Sequence, residues 1–152
     1  MDARLDYLGS PVTMKVVKHI NAAEAVLHDS GLPAATQGLV KLRASQINGC
    51  GYCTDMHTKD ALHAGESQQR LNLVAAWREA TVFTDAERAA LELAEQGTRI
   101  ADAAGGVTDE AWANAAKHYD DMAPRNVRRR RPHTSVRCLV GLAEGDATTG
   151  GR

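Results

Sequence analysis

The chain is poor in aromatic residues, in cysteine and in net charge, and each shortage excludes a class of protein. Phe, Trp and Tyr make up only 4% of the 152 residues, so Ala, Leu and Val must fill any core. The 18 Lys and Arg residues almost balance the 19 Asp and Glu residues, and this excludes a chain-wide positive field for nucleic acid. Three cysteines are too few for a disulfide-rich scaffold.

Long apolar runs are also missing. No run approaches the roughly 18–20 apolar residues that a membrane-spanning helix needs, and the first residues lack the apolar stretch of a secretory signal. We therefore expect a cytoplasmic protein without a membrane partner. The hydrophobic fraction of 43% and the charged fraction of 24% are typical of a globular protein, and the length suits one domain.

Apolar spacing and capping residues predict about six helices. A first helix is predicted after Ser10-Pro11, because apolar residues then recur at spacings of three and four, and we expect this stripe to be buried. The stripe consists of Val12, Val16, Ile20, Ala23 and Leu27. Further helices are predicted to start at Pro33, Cys50, Ser67, Thr84 (with Glu87 as a capping box) and Thr108. No alternating run of strand length is present, so the predicted fold class is all-α.

The composition changes near residue 121. Residues 121–152 carry seven arginines, four of them consecutive at Arg128–Arg131, against three acidic residues. We therefore divide the chain into a helical domain at 1–120 and an atypical basic tail at 121–152 that we expect to be disordered. No aromatic residue is interleaved with the arginines, so we do not expect a nucleic-acid partner.

A cysteine pair and a histidine form the motif with the clearest chemistry. If a helix begins at Cys50, then Cys50, Cys53 and His57 are spaced three and four residues apart and share one helix face. A helix N-terminus lowers the pKa of a thiol, and a neighbouring imidazole can accept its proton. A second thiol one turn away can close a disulfide before the first is oxidised further. This pattern favours dithiol redox chemistry.

Two other interpretations of the motif stay open on the residues alone. Cys50, Cys53 and His57 could bind zinc with Cys138 as a fourth ligand, in a metal-binding helical module, although no second Cys-x-x-Cys pair is present. The cysteines could also be buried and inert. Arg43 and Lys59 could add positive potential near a thiolate, and Gln46 could donate or accept a hydrogen bond there.

The residues from Lys41 to Gly65, KLRASQINGCGYCTDMHTKDALHAG, together with Gln68–Leu71 and Ala76–Glu79, resemble the carboxymuconolactone decarboxylase/alkylhydroperoxidase D-like superfamily. The match is closest to its peroxidase-type branch and extends from about Met14 to Asp120. The resemblance implies a helical homo-oligomer without metal or organic cofactor. It implies a peroxiredoxin-like thiol peroxidase or disulfide reductase with an antioxidant role, whose partners are a hydroperoxide substrate and a dithiol electron donor.

The resemblance also assigns roles to three residues. Cys53 would form the sulfenic acid, Cys50 would be the proton donor and resolving thiol, and His57 would belong to a proton relay. Local physics leaves the order of the thiols open. The helix dipole favours Cys50 as the more acidic thiol, whereas the neighbouring imidazole favours Cys53.

Two positions depart from the family pattern. The relay of these peroxidases includes a glutamate 12 residues before the first cysteine, and this chain has Gly38 there. The family's amphipathic C-terminal helix also has no counterpart after Asp121, which suggests the hypothesis of a reading-frame change in the gene. The first departure supports an alternative function, namely a redox-inactive or redox-sensing relative that retains the motif.

Overall fold

The computed structural model describes residues 9–28, 30–102 and 105–119. These residues form six α-helices and two short 3-10 turns, with no strand among them, so the predicted all-α fold is confirmed. In chain order the helices are α1 Pro11–His28, α2 Ala34–Ile47, α3 Gly51–His63, α4 Gln68–Leu73, α5 Asp85–Thr98 and α6 Asp109–Tyr119, with 3-10 turns at Val74–Ala76 and Arg99–Ala101.

Three of the predicted helix starts are confirmed by their capping contacts. The Thr84 side chain accepts the backbone N–H of Glu87 at 3.2 Å, and the Glu87 carboxylate accepts the N–H of Thr84 at 2.8 Å, which completes a capping box at α5. Ser67 accepts the N–H of Arg70 at the start of α4. Thr108 accepts the N–H of Ala111 at the start of α6. Local hydrogen bonds therefore set these boundaries.

The core lies between α2, α3 and α5. Helix α2 packs against both α3 and α5, and α5 also packs against α6. The buried members of the main cluster are Leu39, Leu42, Ala61, Leu71, Val74, Trp77, Phe83 and Leu91. A smaller cluster around Ala44 and Val107 includes the partly buried Trp112. The cysteine helix α3 is thus held against the core by its C-terminal half through Ala61.

The expectation of a buried stripe on α1 is wrong for its first half. Val12 is 73% exposed and Val16 is 50% exposed, while the later stripe residues are half-buried. Within the described residues no other helix packs closely along α1. The helix is tied to α2 by a Lys41–Glu24 ion pair and by the Gln37 side chain, which donates to the Leu27 carbonyl at 3.4 Å.

A buried carboxylate joins three parts of the core. Glu95 of α5 accepts hydrogen bonds from Arg43 of α2 at 2.7 Å, from the indole N–H of Trp77 at 3.0 Å and from Arg78 at 2.7 Å. Burial by itself would raise the pKa of Glu95, but these three donors outweigh it and lower the pKa to about 2. The carboxylate therefore stays ionised and holds α2 to α5.

One expectation concerns a part of the chain that the structure leaves undescribed. The basic tail at 121–152 lies outside the described residues, so the division at residue 120 stays a prediction. None of the helices described here is long and apolar enough to cross a membrane.

Candidate dithiol site on the third helix

Cys50 is the residue that starts α3. Helix α2 ends at Ile47, and Gly49 adopts a φ of +66°, a left-handed conformation that glycine takes without strain and that turns the chain. Cys50 then has an extended backbone, and its sulfur accepts the N–H of Cys53 at 3.2 Å. A sulfur atom thus occupies the capping position where a Ser or Asp oxygen is more usual.

Cys50 and Cys53 are joined by a disulfide bond within the first turn of α3. Their Cα atoms lie 5.4 Å apart, and disulfides span Cα separations of about 4.4–6.8 Å. The bond therefore joins the N-cap residue of α3 to a residue in its first turn. The two cysteines that the sequence spacing places on one helix face are therefore bonded to each other.

The two sulfurs differ in their surroundings. Cys53 is only 3% exposed, whereas Cys50 is half-buried at the rim of the helix. His57 lies one turn beyond Cys53 on α3 and is 7% exposed. The structure thus brings all three predicted site residues together on the first two turns of one helix, with the Cys53–His57 side buried and the Cys50 side accessible.

An open cleft of about 530 Å³ lies beside Cys50. It is lined by Gln46, Gly49, Cys50, Gly51, Thr54, Asp55 and Thr58. Cys53 and His57 are not among the lining residues. Asp55 is held by Lys59 at 2.6 Å, so its negative charge is partly compensated at the edge of the cleft. The cleft therefore gives a ligand access to one sulfur of the pair.

Two threonines of the cleft were not predicted as site residues. Thr54 and Thr58 follow Cys50 by four and eight residues, and this helical spacing was the available signal. Gln46 was singled out and does line the cleft. Its Oε1 is buried and accepts no hydrogen bond from any residue that the structure describes. The amide thus stands beside Cys50 with unused bonding capacity.

Each of the positive charges expected near the thiols is paired with a carboxylate. Arg43 is bound to Glu95 in the core, and Lys59 is bound to Asp55. Helix α2, which carries Gly38 at the position of the family's glutamate, contains neither Asp nor Glu. A Cβ built on Gly38 would meet the Cβ of Ala61, one turn beyond His57, at 3.8 Å. The position therefore faces α3 close to the histidine.

The zinc interpretation requires ligands that are grouped around one point. Among the described residues, no three His, Cys, Asp or Glu side chains are grouped so that they could hold a metal ion. Cys138, the suggested fourth ligand, lies outside those residues. The arrangement that the structure does show is a bonded Cys50–Cys53 pair with His57 one turn further along the same helix.

Comparisons with known proteins agree with this picture. The sequence profile of the carboxymuconolactone decarboxylase family matches residues 12–96. The uncharacterised protein YdfG of Bacillus subtilis is 38% identical over 122 residues, which are 80% of this chain and 80% of YdfG. The uncharacterised protein YnjA of Escherichia coli is 32% identical over 113 residues, which are 74% of this chain and 56% of YnjA.

A solved structure is similar over most of the fold. It is a protein of unknown function from Agrobacterium tumefaciens, which has been proposed to be the antioxidant defence protein AhpD. The superposition covers 93% of this chain and 88% of that chain, with a TM-score of 0.75 and 35% sequence identity. At this identity the likeness extends to the sequence as well as to the helical architecture.

Proposed function

Since this chain belongs to the carboxymuconolactone decarboxylase family and has an AhpD-like fold, we propose that it is a peroxiredoxin-like thiol peroxidase or disulfide reductase. The observation that carries the proposal is the bonded pair Cys50–Cys53 at the N-terminus of α3, one turn before the buried His57. A helix N-terminus stabilises a thiolate, and a buried imidazole can move its proton.

In the oxidative half of the reaction, the Cys53 thiolate attacks the terminal oxygen of a hydroperoxide. The O–O bond breaks, the alkoxide takes a proton and leaves as an alcohol, and Cys53 becomes a sulfenic acid. Cys50 then attacks the Cys53 sulfur, hydroxide leaves with the thiol proton as water, and the disulfide closes. His57 supports the role of Cys53 because it lies one turn away in the buried part of the helix.

A second candidate function is favoured by one specific observation. Gly38 stands where the relay of family peroxidases has a glutamate, and α2 offers no other carboxylate. A relay without that group would activate Cys53 more slowly, since general acid–base help is worth roughly 10²–10⁴-fold in rate. The alternative is therefore a redox-inactive or redox-sensing relative with the same helix.

Self-association is part of the proposal. The resemblance implies a homo-oligomer, and α1 exposes four large apolar side chains that the described fold leaves uncovered. They are Val12, Met14, Val16 and Val26. A second copy of the chain packed on this helix would remove that apolar surface from water.

The test of the function is the mass of the intact protein after thiol alkylation. Reduced protein is given one equivalent of a hydroperoxide, and the free thiols are then alkylated under denaturing conditions. We expect Cys50 and Cys53 to become protected together with the loss of two hydrogens, while Cys138 is still alkylated and serves as an internal reference. Dithiothreitol should restore both thiols.

Single substitutions separate the roles of the two thiols. Cys50→Ser should accumulate a sulfenic acid on Cys53 that dimedone traps, whereas Cys53→Ser should lose peroxide consumption. If both thiols of the wild-type protein are still free after prolonged exposure to peroxide, the peroxidase function is excluded. The redox-inactive relative is then favoured.

A further inference from the structure

The disulfide of this chain presents only one of its two sulfurs to the open cleft. Cys50 is half-buried and lines the cleft, whereas Cys53 is 3% exposed and does not line it. A thiolate that reduces a disulfide must reach one of the sulfur atoms, and the sulfur that it reaches decides which cysteine carries the mixed disulfide. The asymmetry of burial therefore has a chemical consequence.

We propose that the reducing dithiol enters the cleft and attacks Cys50, so that Cys53 is the leaving thiolate. This inference rests on the proposed function, because it describes the reductive half of the same cycle. A lone pair of the donor thiolate forms a new S–S bond to Cys50, and the Cys50–Cys53 bond breaks with its electron pair on Cys53. Cys53 then takes up a proton.

The surroundings of Cys53 suit a leaving group. It lies in the first turn of α3, where the helix dipole and free N–H groups stabilise negative charge. His57 lies one turn further along the helix, on the same buried side, and can deliver the proton that Cys53 needs. Attack at Cys50 thus places the developing charge on the sulfur that lies one turn from His57, where a proton can neutralise it.

The second step releases the donor. Its other thiolate attacks the donor sulfur that is bonded to Cys50, the mixed disulfide breaks, and its electron pair passes to Cys50. The donor leaves as a disulfide, and this chain is left with two thiols. The Cys50 thiolate is stabilised at this point, because the N–H of Cys53 already lies 3.2 Å from its sulfur.

The cleft has room for an incoming sulfur. Gly49 and Gly51 flank Cys50, and a Cβ built on either would find no atom within 4 Å. The one carboxylate of the lining, Asp55, is paired with Lys59, which limits its repulsion of an anionic thiolate. Open space around Cys50 and a compensated charge therefore favour this face for the donor.

The first test maps the site of attack with glutathione. The disulfide is formed with diamide, so that no peroxide chemistry is needed, and is exposed briefly to glutathione. The reaction is quenched with N-ethylmaleimide in denaturant, and the peptides are analysed by mass spectrometry. We expect glutathione on Cys50 and N-ethylmaleimide on Cys53. Glutathione on Cys53, or equal amounts on both cysteines, would overturn the inference.

The second test fills the cleft. Gly51→Leu adds a side chain beside Cys50 in open space, and Asp60→Leu adds the same side chain at an exposed site on α3 outside the cleft. We expect Gly51→Leu to slow reduction of the disulfide by dithiothreitol about tenfold, with helicity unchanged, and Asp60→Leu to leave the rate as it is. Equal rates in both variants would contradict entry through the cleft.

The outcomes also separate this inference from the proposed function. If diamide forms the disulfide and glutathione maps to Cys50, but peroxide leaves the thiols free, the direction of reduction stands and the peroxidase is excluded. If peroxide closes the disulfide but glutathione maps to Cys53, the peroxidase stands and the inference fails. If no disulfide forms with diamide, the inference fails.

Discussion

Gly38 of α2 faces Ala61 of α3, and a Cβ built on Gly38 would lie 3.8 Å from the Cβ of Ala61. This is an ordinary van der Waals distance, so the two helices leave room for a side chain at a position where the sequence has none. Ala61 follows His57 by one helical turn. The contact therefore locates the missing relay glutamate next to the helix that carries the candidate site.

Gly38→Ala should stabilise the protein. Glycine inside a helix costs about 0.5–1 kcal/mol relative to alanine, and the added methyl group meets no obstacle. We expect the free energy of unfolding in urea to rise by that amount. Gly31→Ala is the matched control, because Gly31 has a φ of +82° and alanine is strained there. If Gly38→Ala instead lowers the free energy of unfolding, then α2 and α3 have less room at Gly38 than the 3.8 Å distance to Ala61 indicates.

Gly38→Glu should accelerate oxidation of the dithiol by peroxide. A carboxylate on this face of α2 can accept or deliver a proton near His57, and a proton relay is worth up to roughly 10²–10⁴-fold in rate. The measurement is the rate constant for disulfide formation by peroxide, obtained from the loss of free thiols with time. Gly38→Gln is similar in size but cannot exchange a proton, so it should not share the gain. No gain in Gly38→Glu would favour the redox-inactive relative.

Protonation of Glu95 should contribute to the loss of folding stability at low pH. Its pKa is 4.5 as a free side chain and about 2 in the folded protein. Because the folded pKa is the lower one, this carboxylate stabilises the fold above pH 4.5 and loses that effect as the pH falls toward 2. The contribution is roughly 3 kcal/mol. Glu95→Gln should lower stability at neutral pH and flatten the acid limb of urea unfolding.

A surface glutamate provides the control for that experiment. Glu79 is exposed, so Glu79→Gln should change stability at neutral pH by less than about 0.5 kcal/mol. If the stability of Glu95→Gln falls with pH as steeply as that of the wild-type protein, then other carboxylates cause the acid sensitivity.

Thr84→Ala should destabilise the protein through α5. The substitution removes the side chain that accepts the N–H of Glu87, and loss of such a cap costs about 1 kcal/mol. Thr81→Ala removes the same atoms from an exposed residue just before the helix and should have little effect. Chemical unfolding monitored by circular dichroism measures both. Equal losses in the two variants would argue against the capping box as the cause.

Val16→Asp should affect association more than folding. Val16 is 50% exposed, so we expect a change in unfolding free energy of less than about 0.5 kcal/mol. Leu39→Ala, in contrast, removes a core side chain that is 1% exposed and should cost roughly 2–5 kcal/mol. If α1 covers an interface between copies, sedimentation velocity should show a smaller species for Val16→Asp. An unchanged sedimentation profile would remove α1 from the interface.

Local signals in the sequence predicted most of the helical framework. Thr84 and Glu87 form their capping box within one turn, and Cys50 and Cys53 form their pair within one turn of α3. Such contacts are set by residues close together in the sequence, so spacing alone indicates them. The stripe of α1 shows the limit of this reasoning. Periodicity indicates which face of a helix is apolar but not whether another element covers it.

Contacts between distant residues could not be predicted. Arg43, Trp77 and Glu95 come from three separate elements, and no local pattern links them. Arg43 was expected to act near the thiols, and it instead binds Glu95 because the packing of α2 on α5 brings the two together. The cleft beside Cys50 was missed for a different reason, because it depends on how the end of α2 and the start of α3 are placed in space, which residue spacing alone does not give.

The position of the cysteine pair in a helical turn also bears on how the protein moves. The 5.4 Å separation of the two Cα atoms suits both a disulfide and an intact helix, so closing the bond requires no unwinding of the chain. If the proposed function holds, we therefore expect the disulfide to open and close with little reorganisation of α3. In the disulfide form the helix that carries Cys53 and His57 is continuous from Gly51 to His63, so the bond and the helix coexist at the same place in the chain.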